Sequence, residues 1–145
     1  RSLGHSCMDS MRDHELQRFR QYYFAKKTEL ECGRDNYLTD RSFVDVAAYW
    51  IELDAANLPA AERRPLVEQC RRAATIYDLH VYCPFGLIPF RRNSCRLESV
   101  VFHERVDRRI RALLRNWGCR VIQLDVVDLA ERVDAVKRAV SSFVF

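Results

Sequence analysis

Apolar residues recur at helical spacing in five stretches of this chain. Leu16, Phe19, Tyr23 and Leu30 repeat with a period near 3.6 and predict a helix from Arg12 to Cys32, stopped by Gly33. Phe43, Val46, Ala47, Trp50 and Ile51 follow the i, i+3, i+4, i+7, i+8 pattern, so a second helix should run from Phe43 to about Asn57. Pro59 and Pro65 interrupt the next stretch. Because proline suits the first helical turn, the helix there is expected to restart at Pro65 and reach about Thr75. A long helix is predicted from Ser94 to Trp117, with Val106, Ile110, Leu113 and Trp117 on one stripe and Gly118 ending it. The Asp128-Leu129-Ala130-Glu131 capping box opens the last helix, to about Val140.

Three segments have strand character. Tyr37-Leu38-Thr39 is short, Tyr77 to Cys83 alternates until Pro84, and Cys119 to Leu124 is β-branched. Residues 1 to about 11 and the Gly86- and Pro89-containing stretch from Pro84 to Asn93 read as loops. Strands alternating with helices imply an α/β fold with a parallel sheet. Three strands make a thin sheet for so many helices. Repeats, low-complexity segments and internal linkers are absent, and 145 residues fit one domain.

Composition narrows the function classes. The net charge of +4 is mild, and 21 of the 24 basic residues are arginine, a side chain that grips oxyanions through two parallel hydrogen bonds. A GC-rich genome explains the same bias without function. Like charges never run to five, so a nucleic-acid tail is unsupported. Cys7, Cys32, Cys70, Cys83, Cys95 and Cys119 form no C-x-x-C pair, which argues against zinc and for free thiols in a reducing cytoplasm. No apolar run approaches the roughly 20 residues that span a bilayer.

Candidate chemistry lies in two places. Asn36-Tyr37-Leu38-Thr39-Asp40-Arg41-Ser42 takes a predicted strand into a predicted helix, and Asp40 there could organise Mg²⁺, directly or through water. Asp40 or Ser42 could equally serve as a helix cap. Arg41 could meet a phosphate or a surface acid. Asp45, in the helix's first turn, could face the same cleft or complement the helix dipole. The second place is Pro89 to Arg96, where Arg91, Arg92 and Arg96 sit between a strand and the long helix. Three arginines there suit a lid that neutralises charge on a transferring phosphoryl group, or a solvated basic loop. Arg105, Arg108, Arg109, Arg111 and Arg115 are interleaved with Glu104 and Asp107 and read as a solvated helix face. His5, His14, His80 and His103 are scattered, and no G-x-x-x-x-G-K-[ST] loop occurs.

In order and spacing these segments resemble the NadR-like P-loop kinases, which are grouped with AAA-domain ATPases and related to ribosylnicotinamide, deoxynucleoside and thymidylate kinases. The resemblance rests on Asp40-Arg41-Ser42-x-x-Asp45-x-x-x-Tyr49, on Tyr77-Asp78-Leu79-x-Val81-Tyr82-x-Pro84, on Ile88-Pro89 through Arg96, and on the closing strand and helix. It covers about residues 12 to 140. It implies a three-layer α/β/α P-loop NTPase fold of the nucleotide-kinase type, with residues 1–145 forming a single partial domain and a lid at about 84–100. It further implies ATP and Mg²⁺ as cofactors and phosphoryl transfer to a small nucleoside-like or other hydroxyl substrate. Asp40 would be the acid near Mg²⁺, Arg41 and Arg96 catalytic, Asp45 and Arg1 on the substrate side, and Arg91, Arg92 and Arg96 on the phosphates.

In that family a strand, the phosphate loop and its helix come first, which here would put them before Arg1. Without the loop strand, sheet edges would be left open and self-association through them becomes an expectation. Two alternatives stay open: an AAA-type NTPase with another coupled function, and a remnant that binds a nucleotide or partner without catalysis. The phosphate-cradling N–H groups and lysine of the loop are missing from these 145 residues. A coupled assay on them with Mg²⁺ and ATP is therefore expected to read background ADP release; turnover above background would overturn the expectation.

Overall fold

The computed structural model describes residues 12–54, 60–89 and 99–142. In chain order they form α1 (Asp13–Glu31), α2 (Phe43–Asp54), α3 (Ala60–Ala73) with a 3-10 turn (Ala74–Ile76), β1 (His80–Tyr82), α4 (Val100–Asn116), β2 (Val121–Gln123) and α5 (Leu129–Ser141). Two compact units result. Among the described residues one holds 12–40 with Ser99, and the other holds 41–54, 60–89 and 100–142.

In the first unit α1 opens with the Arg12 N–H donating to the Glu15 carboxylate at 2.8 Å. It closes at Cys32, whose N–H bonds Thr28 O at 2.9 Å, and Gly33 follows with φ of 77°. That left-handed turn is where glycine lacks the penalty of a Cβ. The inward stripe differs from the expected one. Tyr23 and Leu30 are exposed, whereas Arg20, Lys27 and Glu31 are buried. Lys27 Nζ pairs with Glu31 Oε1 at 2.5 Å, Thr39 Oγ1 donates to Glu31 at 2.6 Å, and Lys27 also reaches Thr39 at 3.3 Å. A buried charge is tolerable when it is paired and hydrogen-bonded, and the three side chains satisfy one another.

Tyr37-Leu38-Thr39 is not the strand its composition predicts. The segment carries no ladder, and Leu38 is 87% exposed. Strand character is realised only against a neighbouring strand. This stretch is fastened by the Thr39 side chain instead, so Asp40 follows an irregular segment and not a strand end.

The second unit is built around α2. Phe43, Val44, Val46, Ala47, Ala48 and Trp50 are all buried, so apolar side chains point in from nearly every side of the helix. A helix apolar all round must be covered all round. Helix α3 packs on one side of α2, contributing the fully buried Cys70, and α4 packs on another, contributing Val106, Leu113 and Leu114. Burial pushes the Cys70 thiol up to about 12. Helix α3 starts at Ala60 and not at Pro65, so Pro65 lies inside the helix and removes one N–H from its ladder.

Among the described residues the sheet has two parallel strands and not three. His80, Val81 and Tyr82 lie opposite Val121, Ile122 and Gln123. His80 N–H donates to Arg120 O at 2.8 Å, and Leu124 N–H to Tyr82 O at 2.9 Å. Helix α4 makes the crossover that parallel strands require. Gly118, φ 66°, turns the chain from α4 into β2, and Asp128 caps α5 by accepting from Glu131 N–H at 3.0 Å.

The arginines of α4 are not simply a solvated face. Arg105 and Arg109 donate through Nε to the buried Glu52 carboxylate of α2, at 3.0 and 2.8 Å. Arg105 also reaches the Glu52 carbonyl at 3.3 Å. This fork joins α2 to α4 at the end of their shared apolar contact. Both guanidiniums are over two-fifths exposed, so water screens part of the attraction. Glu52→Ala is expected to cost about 2 kcal/mol of unfolding free energy, since two charged donors lose a buried acceptor. Arg115→Ala, on the exposed side of the same helix, should stay within about 0.5 kcal/mol. Denaturant midpoints of the two variants check this, and equal losses would sink it.

Candidate functional site

The Arg41–Asp45 turn is the best-defined of the sequence-predicted positions. Ser42 is the cap of α2. Its Oγ accepts from Val44 N–H at 3.1 Å, while its own N–H and Oγ–H donate to Asp45 Oδ2 at 2.8 and 3.0 Å. The arrangement is a variant of the capping box: aspartate at the third helical position reaches back to Ser42, while the Ser42 hydroxyl takes the N–H of the second position. The cap therefore belongs to Ser42 and Asp45, and Asp40 lies one residue before the turn. Arg41 carries φ of 68°. A left-handed backbone costs a non-glycine residue roughly 1–2 kcal/mol, and such residues concentrate where surrounding structure enforces them. The Arg41 guanidinium carbon sits 4.9 Å from the centroid of the Tyr49 ring, within cation–π range.

Behind the cap lies a residue that sequence reasoning passed over. His80, at the start of β1, is buried, with its ring edge-on to Tyr77 at 5.3 Å, and Tyr77 in turn meets Phe43 at 6.0 Å. Burial lowers the His80 pKa, and the negative charge of Asp45 opposes that shift only in part. The alternation of Tyr77 to Cys83 placed His80 on one face of a strand, but four scattered histidines gave no reason to single it out.

A second cluster sits beyond the carboxyl end of β1. Asp107, buried on α4, accepts from Tyr82 Oη–H at 2.5 Å, from Phe85 N–H at 3.1 Å and from Arg111 at 2.7 Å. Burial raises the Tyr82 phenol, and the bond to Asp107 adds to that. The carboxylate thus pins the strand's last residue, the start of the following loop and one guanidinium. A pocket of about 460 Å³ opens beside it, lined by Phe85, Ile88, Pro89, Asp107, Arg108 and Arg111 among others. Asp107-x-x-x-Arg111 beside Val106 was a visible helical ion-pair spacing. Nothing in the sequence marked its acid as buried.

Asp40 is exposed and ends the first unit. Arg1, Arg91, Arg92 and Arg96 lie outside the described residues, as does Phe90. Among the described residues no group of three or more His, Cys, Asp or Glu side chains could hold a metal by itself. A lone exposed carboxylate such as Asp40 fits Mg²⁺, which is often bound through one or two carboxylates, water and substrate phosphates.

Lowered basicity at His80 gives stability a definite pH dependence. The unfolded chain takes up a proton on histidine near pH 6.5 while the folded chain still excludes it. Stability is therefore expected to be flat above that pH and to fall below it. Denaturant midpoints at pH 8 and pH 5 should differ more for the unsubstituted protein than for His80→Asn; identical differences would refute the assignment.

A family model described as an AAA domain matches residues 4–132 of the chain. No curated protein and no solved structure matches it.

Proposed function

Starting from the fact that this chain belongs to the AAA-domain family of P-loop NTPases, which are nucleotide-binding proteins, we propose that it is the substrate and lid part of an ATP-dependent kinase site of NadR-like type. The reaction is phosphoryl transfer from ATP–Mg to a small nucleoside-like or other hydroxyl compound, in a cytoplasmic setting. The observation that carries this is the capped turn at Arg41-Ser42-x-x-Asp45. It spends backbone strain and a reciprocal cap to hold an exposed arginine at the start of a buried helix. No helix among the described residues is long and apolar enough to cross a membrane.

Phosphoryl transfer asks little covalent chemistry of a protein. It asks for positioning and for charge neutralisation. In this proposal the Asp40 carboxylate holds Mg²⁺, directly or through water, and the metal when bound draws negative charge off the phosphates. Arg41 meets the oxyanion on the substrate side. Asp45, whose Oδ2 is held by the cap, offers Oδ1 to a substrate hydroxyl, and the resemblance assigns Arg1 to substrate binding as well. Arg91, Arg92 and Arg96 are the lid cations of the 84–100 region and offset charge developing on the transferred group. The phosphate-cradling loop is not among the 145 residues, so the proposal assigns it to none of them. The three-layer arrangement belongs to the same proposal. So does self-association through strand edges, since β1 and β2 pair only with each other among the described residues.

The test uses protein expressed from the full reading frame, with Mg²⁺, ATP and a panel of nucleosides and sugars, read as ADP release and phosphorylated product. Acceptor-dependent ADP release is expected, falling about 100-fold or more in Asp40→Asn and in Arg41→Ala. ADP release that needs no acceptor would favour an NTPase with another coupled function. Nucleotide binding with no turnover would favour the non-catalytic alternative. Variants as active as the unsubstituted protein would remove both residues from the site.

A further inference from the structure

We infer that Tyr49 is the positioning residue for Arg41: its ring holds the guanidinium in one orientation so that the N–H donors meet a phosphate or similar anion on the substrate. The inference rests on the proposed role of Arg41 and deepens it. Three observations carry it. The first is backbone restraint. The Ser42–Asp45 box fixes the start of α2 and Arg41 itself is held at φ 68°, so the freedom left to Arg41 lies in its side-chain torsions. The second is contact. Tyr49 stands seven residues past Ser42, two turns along the same helix face, with its centroid 4.9 Å from the guanidinium carbon. A cation–π contact attracts the guanidinium through the charge distribution of the ring, whereas an oxyanion is recognised by N–H donors in the guanidinium plane, so the two interactions are of different kinds.

The third observation is support for the ring. Tyr49 is half-buried and packs on Phe102 of α4, with centroids 5.9 Å apart and planes at 58°. Phe102 is itself held, edge-on to His103 at 5.7 Å and beneath the Arg105 guanidinium at 5.9 Å. Arg105 is in turn tied to Glu52 of α2. A ring restrained in this way gives Arg41 a fixed partner. A merely surface-exposed tyrosine would leave the pair to solvent.

The experiment uses protein from the full reading frame and adenosine 5′-monophosphate as a probe carrying a phosphomonoester. Affinity is read by calorimetry, and the Arg41 side-chain Nε–Hε resonance by NMR. The affinity is expected to weaken about two- to fivefold in Tyr49→Leu, the factor that an exposed cation–π contact supplies. It should be unchanged in Tyr49→Phe, which keeps the ring, and should fall furthest in Arg41→Ala. Tyr49→Leu added to Arg41→Ala should cost nothing more. The Nε–Hε resonance, shifted by the ring in the unsubstituted and Tyr49→Phe proteins, should move to a solvent-like position in Tyr49→Leu. Phe102→Leu is an independent arm expected to change both readouts in the same direction by less. If Arg41→Ala lowers affinity while Tyr49→Leu leaves affinity and resonance untouched, Arg41 keeps its role and the inference falls. If the probe binds equally well with and without Arg41, or not at all, the role of Arg41 falls and takes the inference with it.

Discussion

Helix α2 buries apolar side chains on nearly every side, and the second unit is arranged around that constraint. Phe43, Val44 and Ala47 lie in its first turns and are almost wholly buried, and Trp50 continues the buried surface toward the other end. Covering so much apolar surface brings α3 and α4 against the same short helix. Polar groups appear where that contact begins and ends. At one end the Ser42 cap accepts the Val44 N–H, and at the other Glu52 receives two arginines from α4. The candidate site follows from that placement, because the turn that presents Arg41 is the amino-terminal end of this buried helix.

The two buried carboxylates of this unit play parallel parts. Glu52 links α2 to α4, and Asp107 links α4 to the end of β1 and to the first residues after it. Each is satisfied by arginine on an outer side that water reaches, which avoids the full desolvation of a wholly interior pair. Through them α2, α4 and β1 are joined in series by directed polar contacts as well as by packing. Directed contacts fix register and orientation in a way that non-directional apolar burial does not.

Much of this was legible in the chain, for identifiable reasons. Helix α2 announced itself because its apolar spacing is dense, α5 because Asp128 and Glu131 stand at capping distance, and the stops at Gly33 and Gly118 because both need a left-handed backbone. What failed to show were properties that depend on distant residues. Tyr37-Leu38-Thr39 has strand-forming side chains, yet a strand exists only with a neighbour. Lys27 and Glu31 look like a solvated helical pair and are buried, with Thr39 completing their bonds. Glu52 and Arg105 are 53 residues apart, so no local pattern could join them. At the candidate site the Asp40-Arg41-Ser42 stretch could be picked out by its residue types. The division of labour within it could not, because capping by Ser42 or by Asp40 differs only in backbone torsions.

Cys70 has a consequence of another kind. Its thiol is fully buried between α3 and the rest of the core and is pushed up to about 12, so in the native protein almost none of it exists as the reactive thiolate. Cys32 and Cys83 are exposed. Cys70 therefore carries a chemical record of opening: it can be alkylated only in molecules in which its burial is lost, so its rate of labelling measures how often the core around it opens.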